Sequence, residues 1–208
     1  MDGIRWVAGE WRSRGYCLSF ARGIDSRELA VRLGADPGEP PAEMTEAQAL
    51  GMLDYESCYT VARFGELGGW SFAVESGAGS NALLESDRIS SGGVELVHFN
   101  PQPDHPPSLF SYAKDGHSVC FFPFLSERVE NGGSQPDLLV PAMKEFGVLD
   151  GEGRRVPWGD GQSQSAAEAM ACTFAAIEAH FGLSLPRDAV VDGRLPTSVT
   201  VRDEPRFW

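Results

Sequence analysis

The sequence predicts an α+β fold in a single domain spanning residues 1–208, with a mainly antiparallel central sheet of about five or six strands and helices packed on it. Three observations carry that expectation. The run SLFSYAKDGHSVCFFPF holds two apolar stretches divided by Asp115-Gly116, a pair suited to a type I′ hairpin because both central residues take positive φ. A second turn, GELGG, precedes the alternating apolar residues Trp70, Phe72 and Val74. Between such runs lie apolar stripes opened by Ser, Thr or Asp and closed by Gly, which is how short capped helices read.

The elements follow in order. Tyr16 to Phe20, YCLSF, has the aromatic and branched character of a short strand. Asp25 offers a side-chain oxygen to the free amides of a helix through Glu28, Leu29, Ala30, Val31 and Leu33, with Gly34 as its stop. After the proline-rich connection Asp36 to Pro41, Thr45 and Gln48 match a capping box for a helix reaching Leu53. The stretch CYTVARFGELGGWSFAVES reads as a β-hairpin. Asn81 is expected to cap a helix through Leu83, Leu84 and Ile89, ended by Gly92 and Gly93 before a strand from Val94 to Phe99. Pro123 lacks a ladder donor and favours a strand end or an edge. Ser134 and Asp137 suggest an acidic capping box, with Pro136 in the first turn, the apolar stripe Leu138, Leu139, Ala142, Met143 and Phe146, and Gly147 as the stop. Ser165 and Glu168 cap a longer helix to His180, and Gly182 ends it. Residues 183–208 carry several prolines and a VTV stretch, and read as a covering tail or an edge strand.

Composition narrows the function. Seventeen Lys and Arg against 30 Asp and Glu leave a net charge of −13, which opposes broad nucleic-acid binding because such binding neutralises phosphates. The amino terminus has no continuous apolar stretch of a secretory signal, and no run is long enough for a membrane span, so a cytoplasmic protein is expected. Cys17, Cys58, Cys120 and Cys172 lack the close CxxC spacing of zinc or redox sites and read as buried free thiols.

Residues Trp70 and Glu75 in a strand, Ser91-Gly92 in a turn, Phe110 to Tyr112 with Asp115-Gly116, and Gly133-Ser134 with Pro136-Asp137 form a set of GELGGW, FSYxxDG and GSxPD-type motifs. On these the chain, from YCLSF to Gly147, resembles an uncharacterised family of actinobacterial proteins grouped as a domain of unknown function. The resemblance implies turn, cap and packing roles for most of these positions and transfers no catalytic set.

Several apparent sites compete with plain structural readings. Gly77 to Ala82 matches the Gly-x-Gly-x-x-Ala dinucleotide fingerprint, but a hairpin context makes it a glycine turn. No phosphate-binding loop, His-Glu-x-x-His helix or Gly-x-Ser-x-Gly elbow occurs, and His98, His105, His117 and His180 are dispersed, so no metal or cofactor is expected. A hydrolytic arrangement could draw on Cys120 or a serine, His98 or His117, and Asp104 or Asp115, although hairpin geometry already explains the turn residues. Carboxylates of SNALLESDR and SERVEN would form a glycosidase pair only if folding brought them across one cleft. Trp11, Trp70, Phe99, Tyr112, Phe124 and Trp158 are candidate anchors for a protein partner, with core packing as the competing use. The reading is therefore a non-catalytic protein-binding, regulatory or conflict-associated accessory protein whose partner presents a basic surface. A small-molecule sensor and a hydrolase with a dispersed site are the alternatives.

Overall fold

Strands that alternate buried side chains on both faces need covering on both sides, and this chain supplies helices for each. The structure is a computed structural model that describes residues 3–14, 16–54, 60–77, 79–100, 109–124, 131–159 and 161–201. In chain order the elements are α1 (Val7–Arg14), β1 (Cys17–Arg22), α2 (Ser26–Arg32), β2 (Ala42–Met44), α3 (Glu46–Leu50), β3 (Thr60–Leu67), β4 (Trp70–Gly77), α4 (Asn81–Leu84), α5 (Ser86–Ile89), β5 (Glu95–Asn100), β6 (Leu109–Lys114), β7 (His117–Pro123), α6 (Val140–Glu145), α7 (Ala166–Phe181), α8 (Arg187–Val191) and β8 (Leu195–Val201).

The α+β class and the antiparallel sheet are as expected, but the strand number is not. One sheet of eight strands runs in the order β2-β8-β3-β4-β1-β5-β6-β7, against the five or six expected. Two strands account for the difference. β2 is three residues, Ala42-Glu43-Met44, too short to establish a period and largely exposed, and it exists by pairing with β8. β8 carries Pro196 and polar residues that mask its period, yet Leu195, Thr197 and Val199 alternate inward. Within the stretch 183–208, β8 is flanked on both sides, by β2 and by β3.

Period-two alternation divides the side chains between two layers. Leu18, Phe20, Phe72, Val74, Val97, Phe99, Phe110 and Phe122 share one core cluster with Met170, Phe174 and Ile177 of α7 and Met143 of α6. The intervening residues Ala21, Ala73, Phe64 and Leu96 form a second cluster with Leu29 and Leu33 of the α2 segment and with Ala82 and Ile89. Small strand residues on this second face let the short helices approach closely.

Local signals explain most boundaries. The Asp25 carboxylate accepts from the Glu28 N–H, and both capping boxes, Thr45 with Gln48 and Ser165 with Glu168, are formed. Asp115 and Gly116 take φ +49 and +76, as a type I′ turn requires, and Pro123 ends β7 at the sheet edge. Three helix expectations need correction: α3 ends at Leu50 with Gly51 as its cap, short of the Leu53 expected. Ser80, not Asn81, is the cap after β4, and the segment divides at Glu85 into α4 and α5. α6 starts at Val140 with no side-chain cap, because Ser134 and Gln135 give their N–H groups to Ser118 and Val119 of β7 instead of opening a helix. No helix among the described residues is long and apolar enough to cross a membrane.

Candidate functional site

The second face of the sheet ends in a buried polar cluster. β1, β4 and β5 place Cys17 opposite Glu75, and Ser19 opposite both Ala73 and His98. Glu75, Ser19, His98, Ser80 and Thr200 are all buried. Glu75 accepts from the hydroxyls of Ser80, Thr200 and Ser19, with Thr200 Oγ1 at 3.4 Å. Burial nevertheless pushes its carboxyl up to about 7, because three hydroxyls replace only part of the lost hydration. His98 Nδ1 lies 3.0 Å from Ser19 Oγ, while its Nε2 is buried without a partner, and burial lowers the imidazole to about 4. The Cys17 thiol is pushed up by burial first and by Glu75 second.

The serine and histidine in contact are Ser19 and His98, but their order differs from a nucleophile-base-acid arrangement. There the acid holds the far nitrogen of the imidazole. Here Glu75 bonds Ser19 and the far nitrogen has no partner. The other members of the dispersed hydrolytic set are apart: Cys120 donates to the Pro136 carbonyl, with burial raising its thiol to about 11, and Asp115 Oδ1 accepts from the Gly93 N–H. His117 is exposed beside the hairpin turn. Asp104, His105 and Cys58 lie outside the described residues, as does the SERVEN segment through Glu130, while Glu85 of SNALLESDR is exposed and paired with Arg88 at 2.5 Å. Gly77, of the dinucleotide-like run, closes the antiparallel strand β4 opposite Thr60, and it and Gly79 take φ +123 and +125, a conformation open to glycine. Cys17, Cys120 and Cys172 are free, and among the described residues no group of three or more His, Cys, Asp and Glu could hold a metal ion.

An open groove lies on the opposite face, where α7 ends and no longer covers the sheet. Register sets Arg22 beside Glu95 and Glu95 beside Lys114 across β1, β5 and β6. Glu95 accepts from Arg22 Nη2 at 2.7 Å, from Lys114 Nζ at 3.1 Å and from the Tyr112 hydroxyl at 3.1 Å. Partial burial would raise this carboxyl, but the bonds from Arg22, Lys114 and Tyr112 outweigh it and hold the group below its ordinary range. Tyr112, shielded from water and facing that carboxylate, is raised to about 12. Phe181 packs on Tyr112 with ring centres 4.9 Å apart, and Arg22 lies over the Trp70 ring at 4.6 Å. Gln135 and Leu138 close the other side, giving a volume of about 380 Å³.

The six aromatic candidates thus separate. Phe99 and Phe124 are fully buried among Phe110, Phe122 and Phe174. Trp70 is 2% exposed and backs the groove through Arg22 and Phe181, while Tyr112, 8% exposed, lines it. Trp158 is half-buried in a smaller pocket elsewhere, and Trp11 lies within α1. Sequence reasoning missed Arg22, Glu95 and Lys114, because their adjacency exists only across strands distant in the chain. The available signal was partial: Lys114 precedes the recognised hairpin turn and Glu95 opens a recognised strand.

A family model described as a family of unknown function (DUF6461) matches residues 4–195. No curated protein matches, and no solved structure matches.

Proposed function

Since the chain belongs to the DUF6461 family of unknown function, we propose from its own geometry that it is a non-catalytic recognition protein, acting in the cytoplasm, that binds a partner protein in the groove beside Glu95. The observation that carries this reading is the pairing of a packed aromatic floor, Tyr112 and Phe181, with exchangeable charges on its rim. Arg22 and Lys114 are each about half exposed in their side chains, at 50% and 53%, so their bonds to Glu95 yield readily to a partner's groups. An apolar side chain of the partner rests on the aromatic floor, where little rotational freedom remains to be lost. Over a longer range, the net charge of −13 steers a partner with a basic surface and disfavours nucleic acid.

A photo-crosslinking residue at exposed Gln135, compared with one at exposed Glu39, tests the groove in lysate of the native host. The expected result is a protein adduct specific to position 135 that disappears in the Glu95→Lys variant, whose wholly basic rim repels a basic surface. The same adducts from both positions, or an adduct indifferent to Glu95→Lys, count against the groove. With the partner purified, its association rate should fall as salt rises, because screening shortens the steering field. A rate unchanged by salt removes the steering element.

A further inference from the structure

A second pocket lies outside the groove, in the connection between α6 and α7. Backbone bonds hold this connection in shape: Val156 N–H donates to the Val148 carbonyl at 3.0 Å, Gly159 N–H to Gln164 at 2.9 Å, and Gln162 N–H to Gly159 at 3.1 Å. Arg155, Val156, Pro157, Trp158 and Gln162 line a volume of about 250 Å³. Arg155 reaches inward and donates through Nη2 to the Phe124 carbonyl. Its Nη1 is buried without a partner, and so is the Trp158 indole Nε1.

These two unpartnered donors share the lining of one pocket. Among the described residues Arg155 forms no ion pair, although 30 acidic side chains are present in the sequence, and Arg22, Arg32, Arg88, Arg154 and Arg187 each hold one. Desolvation acts on the guanidinium and lowers its pKa. Buried donors in folded proteins are nearly always satisfied, so two unsatisfied ones in the lining of one pocket call for an acceptor.

We propose that this pocket binds a small organic carboxylate, its oxygens received by the Arg155 guanidinium and the Trp158 indole N–H, and its apolar part resting on Val156 and Pro157. Charge selects the class. One guanidinium and neutral donors balance a monoanion, whereas a phosphate dianion would retain an uncompensated charge in a half-buried site. The volume lies below the usual range for drug-sized ligands, which sets the size of the acid. The donors are covered in the free chain, so binding includes a small outward turn of the Arg155 and Trp158 side chains.

The test is a ¹H–¹⁵N titration of the intact protein, following the Trp158 indole resonance, which is assigned by its loss in Trp158→Phe. Benzoate is the probe, with neutral benzamide and inorganic phosphate as comparisons. Saturable movement of the resonance with benzoate, and little with benzamide or phosphate, is the expected result. Arg155→Gln should abolish the response, and Arg155→Lys, which keeps the charge and loses the planar fork, should weaken it about tenfold. No movement with benzoate, an equal response to benzamide, or a stronger response to phosphate each overturns the proposal. Should Arg155→Gln fail to fold by circular dichroism, the comparison of benzoate with benzamide on the unaltered chain still decides it.

Discussion

At the scale of single residues, Glu75 and His98 pull in opposite directions on the pH dependence of folding. In the folded chain the Glu75 carboxyl is raised from 4.5 to about 7, and the His98 imidazole is lowered from 6.5 to about 4. A raised carboxyl contributes stability that is fully present below its unfolded value and lost as pH rises through the folded one. A lowered imidazole contributes stability present above its unfolded value and lost as pH falls through the folded one. Between pH 4.5 and 6.5 the folded chain holds a proton on Glu75 and the unfolded chain holds one on His98, so the two contributions cancel. Glu75→Gln removes one of them. Its stability relative to the parent should therefore rise with pH across this window, by roughly 1.4 kcal/mol per pH unit, and reach a gain of up to roughly 3 kcal/mol above pH 7. The hydroxyls of Ser80, Thr200 and Ser19 can turn to serve an amide, which keeps the comparison one of charge. Urea midpoints measured from pH 4.5 to 8 check it, and parallel curves for parent and variant would show that the Glu75 carboxyl keeps an ordinary pKa.

At the scale of elements, the signals that were legible are those a segment satisfies within itself. Ser165 and Glu168 exchange both bonds of a capping box at the start of α7, and Gly182 closes the helix in the left-handed conformation. Ser165→Ala should cost about 1 kcal/mol of stability by urea unfolding. Ser134→Ala, at a position with an equally suggestive sequence, should change it by less than about 0.5 kcal/mol. Its backbone N–H is already committed to Ser118, and α6 begins at Val140. A comparable loss in both variants would mean that the Ser134 hydroxyl does hold a helix start. The same distinction explains the candidate groove. Trp70 and Tyr112 stand out by type, but Arg22, Glu95 and Lys114 acquire meaning only when β1, β5 and β6 lie side by side. The polar cluster was equally hidden, since Ser19 and Thr200 are separated from Glu75 by much of the chain.

At the scale of the whole molecule, local hairpins specify only part of the strand order. β3 with β4 and β6 with β7 follow from their turns, whereas β1 lies between β4 and β5, and β8 lies between β2 and β3. These two insertions tie distant parts of the chain into one sheet, and β8 is the more exposed to test. It pairs with β3 at Thr60, Val61, Ala62 and Arg63, is the partner of β2, and brings Thr200 to the Glu75 cluster. A chain ending at Gly193 should therefore lose more than an edge. β3 becomes an unpaired edge rich in buried residues, β2 has nothing to pair with, and Glu75 loses one of its hydroxyl donors. The expected outcome is loss of the cooperative urea transition and concentration-dependent aggregation, both relieved by adding a peptide of residues 194–201 in trans. If the shortened chain unfolds cooperatively at the parent midpoint, then β3 closes the sheet adequately by itself and β8 is an accessory strand. Partial recovery with the peptide, alongside no recovery with its scrambled sequence, would assign the stability to strand pairing in this register and not to general shielding of apolar surface.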